Sequence, residues 1–159
     1  VRRICDIECG IKWPNDILFG VGKLCGILTE AQFDADPPFM VIGIGLNANS
    51  RMADHGELAN TAVSLLDATG QTHDRNQLVI ALLEEFNSLH DSCAEDAQHI
   101  TRLWEKHAMV LGRTVSIHSG AETLSGTATG ITADGRLVLR DAEGQQHLIL
   151  CGDVHLRFK

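Results

Sequence analysis

Apolar and polar positions along this chain follow two periods, and the predicted elements follow from where each period holds. Residues 7–13 alternate and predict a strand. Pro14 then restricts Trp13 to extended geometry and lacks a donor of its own, so a turn is expected at Asn15 and Asp16. Residues 17–19 form a short apolar run, residues 20–22 (Gly-Val-Gly) a tight hairpin, and residues 23–31 a longer strand. Period-two alternation through that strand places Lys23, Cys25 and Ile27 on one face and Leu24, Gly26 and Leu28 on the other. A polar loop with Pro37 and Pro38 precedes residues 39–46, FMVIGIGL, which read as a buried strand interrupted by Gly43 and Gly45.

The period then lengthens. Residues 61–68 predict a short helix, capped by Asn60 or Thr61 and closed by Gly70. Asp74 with Gln77 has the spacing of a capping box. It opens a helix whose stripe of Leu78, Leu82, Leu83, Phe86 and Leu89 runs to about Cys93. A further helix over residues 94–111 carries Ile100, Leu103, Trp104 and His107 at the same spacing. Both stripes read as core, with Trp104 as a packing residue. After Gly112 the pattern shortens to five strands, at residues 114–118, 123–131, 136–140, 147–150 and 154–158. Gly120, Gly135, Gly144 and Gly152 mark the turns between them. The expected fold class is α+β: residues 1–111 as an antiparallel β-layer with packed helices, and residues 112–159 as a small β-barrel.

Composition excludes several function classes. The chain has 159 residues, 44% apolar and 21% charged, which are ordinary values for a folded domain with a core. No run of about eighteen apolar residues is present, and the opening VRRICDIECG lacks the apolar centre of a secretory signal, so a cytoplasmic location without membrane partners is expected. Five scattered cysteines without a CxxC pair predict reduced thiols rather than a disulfide framework or zinc site. Eight dispersed histidines form no HExxH motif. The net charge of −8 is concentrated in residues 51–110, where 10 acidic groups face 4 basic ones, and no basic face for nucleic acid is evident.

Candidate chemistry is confined to residues 11–49. Lys23, at the head of an apolar strand, reads either as a solvated strand end or as a functional cation. Gly26 favours the second, because glycine within a strand marks close approach by backbone or ligand. Asn15 and Asp16 taken alone are a turn signature. GVGK is not a P-loop, since Leu24 follows Lys23 where serine or threonine is required. GIGLNA matches the loose dinucleotide pattern, but NSRMADHG after it does not read as a helix.

Three linked motifs in this stretch, KWPND (residues 12–16), GKLCGIL (22–28) and VIGIGLN (41–47), together resemble the biotin protein ligase family. The terminal GDVHLR (152–157) is similar to the end of that family's SH3-like domain. Over the residues between, the resemblance rests on element order. It implies part of the ligase catalytic domain followed by an SH3-like barrel. The implied activity joins biotin to ATP, giving biotinyl-5'-AMP and pyrophosphate, and then transfers biotin to a lysine of a biotin carboxyl carrier protein. Biotin and ATP are the implied substrates, Mg2+ accompanies ATP, and the family admits a homodimer.

By the same matching, Lys23 is the implied catalytic cation. Lys23, Gly26, Ile27 and Gly45 line the biotin pocket, while Asn15, Asp16, Gly43 and Asn47 contact the nucleotide. No metal ligand is assigned; Asp16 is the carboxylate nearest the motif. The family's arginine- and glycine-rich biotin loop is not matched: there is no Gly-Arg-Gly, and the only arginine pair is Arg2-Arg3. The chain opens at Val1 in mid-pattern without methionine, so the expectation is a piece of a longer protein with that loop encoded upstream, and no adenylation by the piece alone. No part reads as the DNA-binding domain of some members. Two rival readings are a lipoate or octanoyl protein ligase of related fold, which would bind lipoate rather than biotin, and a non-catalytic carrier-docking module, in which Lys23 would be dispensable.

Overall fold

The computed structural model describes residues 1–96, 98–119 and 122–156. In chain order its elements are α1 (Arg2–Cys5), β1 (Gly10–Lys12), β2 (Asp16–Phe19), β3 (Gly22–Gln32) and β4 (Phe39–Leu46), followed by two 3-10 turns at Met52–Asp54 and Gly56–Asn60. Then come α2 (Leu65–Thr69), α3 (Arg75–Glu95), α4 (His99–His107), β5 (Thr114–Ser119), β6 (Glu122–Ile131), β7 (Leu137–Arg140), β8 (Gln146–Ile149) and β9 (Asp153–Leu156). The fold is α+β, with antiparallel sheets and helices, as the patterning predicts. The chain divides into two compact units: Val1–Cys9 with Asn15–Val79, and Gly10–Pro14 with Ile80–Lys159.

In the first unit β2, β3 and β4 lie side by side, each pair antiparallel. The β2–β3 register passes from Ile17 opposite Cys25 to Leu18 opposite Lys23, skipping Leu24. This is a β-bulge, and it corrects the predicted alternation: Leu24 and Cys25 are both buried, and Lys23 is turned to the face of Gly26. β4 has the predicted length but is not a buried strand. It is an edge strand, and Phe39, Met40, Val41 and Ile42 are all exposed, Phe39 by 53%.

The helix after β4 is shorter than predicted. Its cap is Ser64, not Asn60 or Thr61: the Ser64 hydroxyl accepts from the Asp67 N–H at 3.0 Å, and Asp67 accepts in return from the Ser64 N–H. Residues 61–63 instead run beside β3, where the Lys23 N–H donates to Thr61 O and the Val63 N–H to Lys23 O. Backbone pairing takes those residues, so the helix begins only after them. Gly70 closes it at φ 74°, as predicted. Asp67 also accepts from the Met52 N–H at 3.1 Å; that bond, ahead of those from Ser64, holds its carboxyl below the ordinary range.

α3 forms where the periodicity places it, but its stripe is not core. Leu82, Leu83, Phe86 and Leu89 are exposed, Phe86 by 45%, because period specifies a helix and not the element that covers it. α4 likewise leaves Ile100 and His107 exposed, while Trp104 packs as predicted.

The second unit contains the five-stranded antiparallel sheet β8-β7-β6-β5-β9. All five predicted strands are present among the described residues, with Gly120, Arg157 and Phe158 lying outside them. Val115, Ile117, Ala128, Leu137, Leu139 and Val154 point into one core, together with Val110 and Trp13. Trp13 is 2% exposed, and its indole N–H donates to Gly135 O at 3.0 Å. On β7 the predicted period is kept, with Leu137 and Leu139 fully buried. Asp141 closes the β7–β8 turn, accepting from the Gln145 N–H at 2.8 Å and from Nε2 of His147 at 2.6 Å.

Two outcomes are expected. Ser64→Ala removes a buried cap and should cost about 1 kcal/mol, or roughly 2–4 °C in Tm, measured by thermal unfolding. The His147 hydrogen bond foremost, then the Gln145 N–H, holds the Asp141 carboxyl below its ordinary value of 3.8. The stabilisation is therefore complete above about pH 4 and lost as pH falls through the lowered value. Asp141→Asn should accordingly melt below wild type at neutral pH, and the gap should close as the solution is acidified.

Candidate functional site

The site is built on the backbone of β3. At its head the Lys23 carbonyl accepts from the Val63 N–H at 3.0 Å and from Nδ2 of Asn47 at 3.1 Å. The Asn47 N–H donates to Leu24 O at 2.9 Å, and its Nδ2 also reaches Val63 O at 3.3 Å. Further along, Asn15 and Ile27 exchange two bonds: the Ile27 N–H donates to Asn15 O at 2.9 Å, and Nδ2 of Asn15 to Ile27 O at 2.7 Å. The turn signature thus closes the corner onto β3, fixing where Asp16 begins β2.

Asp16 stands directly opposite Gly26, and Gly26 directly opposite Gly45. The row across the three strands therefore carries one carboxylate followed by bare backbone. Over this row lies the Lys23 ammonium, 2.6 Å from Oδ1 of Asp16. A Cβ on Gly26 would sit 3.0 Å from Cε and 3.1 Å from Nζ of Lys23, so the absence of a side chain at 26 is what admits the ammonium. The Asp16 side chain is 15% exposed and that of Lys23 47%, leaving the cation open to a ligand on its outer side. Cys25 lies buried beneath; burial pushes its thiol up against the opposing effect of Lys23, and it remains neutral.

An open concavity of about 420 Å³ spreads from this point, lined by Asn15, Lys23, Gly26, Ile27, Leu28, Gly43, Ile44 and Gly45. Six of the eight residues expected from sequence therefore share one surface: Asn15, Lys23, Gly26, Ile27, Gly43 and Gly45. Asp16, paired to Lys23, and Asn47, bonded to the β3 backbone, are not among its lining residues. Sequence reading did not single out Leu28 and Ile44. Leu28 shares the face of Gly26 by alternation, and Ile44 stands opposite Ile27; an apolar strand gives no other signal of a lining position. The arrangement suits an elongated ligand, with an anionic group at the ammonium and a flat or apolar body on the glycine strip.

Comparison with known proteins bears on both halves of the chain. Residues 1–47 match the model of the biotin/lipoate A/B protein ligase family, and residues 110–157 that of the biotin protein ligase C terminal domain. The bifunctional ligase/repressor BirA of Bacillus spizizenii is 37% identical over 147 residues, covering 91% of this chain and 45% of its own length. The biotin--[acetyl-CoA-carboxylase] ligase of Mycobacterium tuberculosis is 34% identical over 152 residues, covering 94% and 54%. A structure of biotin protein ligase from Aquifex aeolicus in complex with biotin and ATP superposes with a TM-score of 0.83 at 27% identity, over 99% of this chain and 66% of that one. The chain thus spans about half the length of the curated relatives it matches. The two family matches together take in more than half of its residues, and from these likenesses the chain belongs to the biotin protein ligase family.

Proposed function

We propose that this chain supplies the C-terminal part of the catalytic domain, residues 1–111, and the C-terminal domain, residues 112–159, of a biotin protein ligase acting in the cytoplasm. The observation that carries the reading is the Lys23 ammonium held over the Gly26 backbone, beside an open glycine-lined concavity. In the proposed reaction the biotin carboxylate attacks the α-phosphate of ATP, forming an acyl-phosphate bond as pyrophosphate leaves. Both reactants are anionic. A preplaced cation between them offsets their repulsion and takes up the charge that develops. In the second step the amine of a carrier lysine attacks the acyl carbon and AMP departs, leaving an amide. The carrier is the biotin carboxyl carrier domain of a biotin-dependent carboxylase.

Biotin is proposed to lie along Lys23, Gly26, Ile27 and Gly45, with the nucleotide towards Asn15, Asp16, Gly43 and Asn47. Glycine at 26, 43 and 45 lets either ligand reach main-chain atoms directly. Among the described residues no three His, Cys, Asp or Glu side chains group closely enough to hold a metal. Magnesium enters with ATP, whose phosphates would supply most of its ligands. Its chemistry there would be charge neutralisation at the phosphates. The match of residues 110–157 to a domain named for biotin protein ligases favours biotin over lipoate.

Two substitutions in the full-length protein test this reading. Lys23→Ala should lower biotinyl-adenylate formation by about 3 kcal/mol, on the order of a hundredfold or more, measured as biotin-dependent pyrophosphate release. Unchanged release would favour a structural lysine. Gly26→Val should displace the ammonium and cost on the order of a hundredfold in the same assay while leaving thermal stability close to wild type.

A further inference from the structure

Lys23 carries a flexible four-carbon stem, whose rotamer freedom is lost when the ammonium is fixed in one place. Its side chain is nearly half exposed, so packing alone does not fix the ammonium. Three features of the structure converge on it. The bulge at Leu24 turns the side chain away from the buried face of Cys25. Gly26 clears the space into which it turns. Asp16 receives it at 2.6 Å from a strand position set by pairing with β3 and by the bonds between Asn15 and Ile27. The carboxylate is the more buried partner and the more rigidly placed one.

We infer that Asp16 is a positioning residue that acts through Lys23, holding the ammonium over Gly26 before substrate arrives. The inference rests on the reading of Lys23 given above and adds a role that direct contact with nucleotide or metal does not require. Ordering the lysine in advance removes its entropy cost from the reaction, so the loss of Asp16 falls on turnover more than on binding. Removing a negative charge beside the ammonium does not weaken its attraction for an anionic substrate.

A double-mutant cycle on the full-length protein tests this, with kcat and KM for biotin read from pyrophosphate release. Asp16→Asn, close to isosteric, should lower kcat about tenfold and change KM for biotin by less than about threefold. In a Lys23→Met background the same change should have no further effect, because the group it positions is gone. Asp16→Glu should retain activity between wild type and Asp16→Asn, and a melting temperature for each variant identifies any loss that comes from unfolding. If Asp16→Asn does not fold, the same comparison is made with Asp16→Glu alone and in the Lys23→Met background. Effects that multiply, the double variant falling about tenfold below Lys23→Met, would overturn the inference and assign Asp16 to the substrates directly. Lys23→Met with wild-type turnover would instead overturn the underlying reading of the site, and this inference with it.

Discussion

The contact between Lys23 and Asp16 depends on an irregularity. In a regular β3, Lys23 would share its face with Cys25, which is buried, and its charge would meet the interior. One extra residue in the β2–β3 pairing, Leu24, rotates Lys23 by one position, to the side where Asp16 stands and Gly26 leaves room. Leu24 and Cys25 are then both buried in succession, and that burial in turn stabilises the bulge. The carboxylate end of the pair is largely buried and the ammonium end nearly half exposed, so the contact fixes a charge that still faces outward.

Backbone bonds rather than side-chain packing hold the rest of the site. The Asn47 side chain ties the carbonyls of Lys23 and Val63 together, and the Asn15 side chain ties the corner to Ile27. Amides that span two strands hold a strip of glycine in place, where few side chains are available to pack. Within the five residues of KWPND, Trp13 is sealed in the core that the C-terminal strands build, while Asn15 bonds the Ile27 backbone and Asp16 pairs with Lys23.

Strand positions, the long helix and the five C-terminal strands were legible because each has a clean period or a glycine turn, as in the buried alternation of Leu137 and Leu139. The candidate site was legible as three motifs in one short stretch, and six of the residues expected from them line one concavity. The face of Lys23 was not, because a bulge changes which side a residue occupies without altering the pattern of letters. The cap at Ser64 was missed because residues 61–63 pair with β3, a tertiary contact that outweighs the local signal of Asn60 and Thr61. Burial of β4 and of the α3 stripe was overread: an apolar run shows what can be covered, and Phe39 and Phe86 are not.

The central claim is that a preplaced cation on a glycine floor lies between two anionic reactants. A crystal structure of the full-length protein with a non-hydrolysable biotinyl-adenylate analogue measures this directly. The account predicts the Lys23 nitrogen within about 3 Å of an oxygen at the acyl-phosphate junction, with the analogue lying against Gly26 and Gly45. An analogue bound elsewhere, or a lysine turned away from that junction, would contradict it.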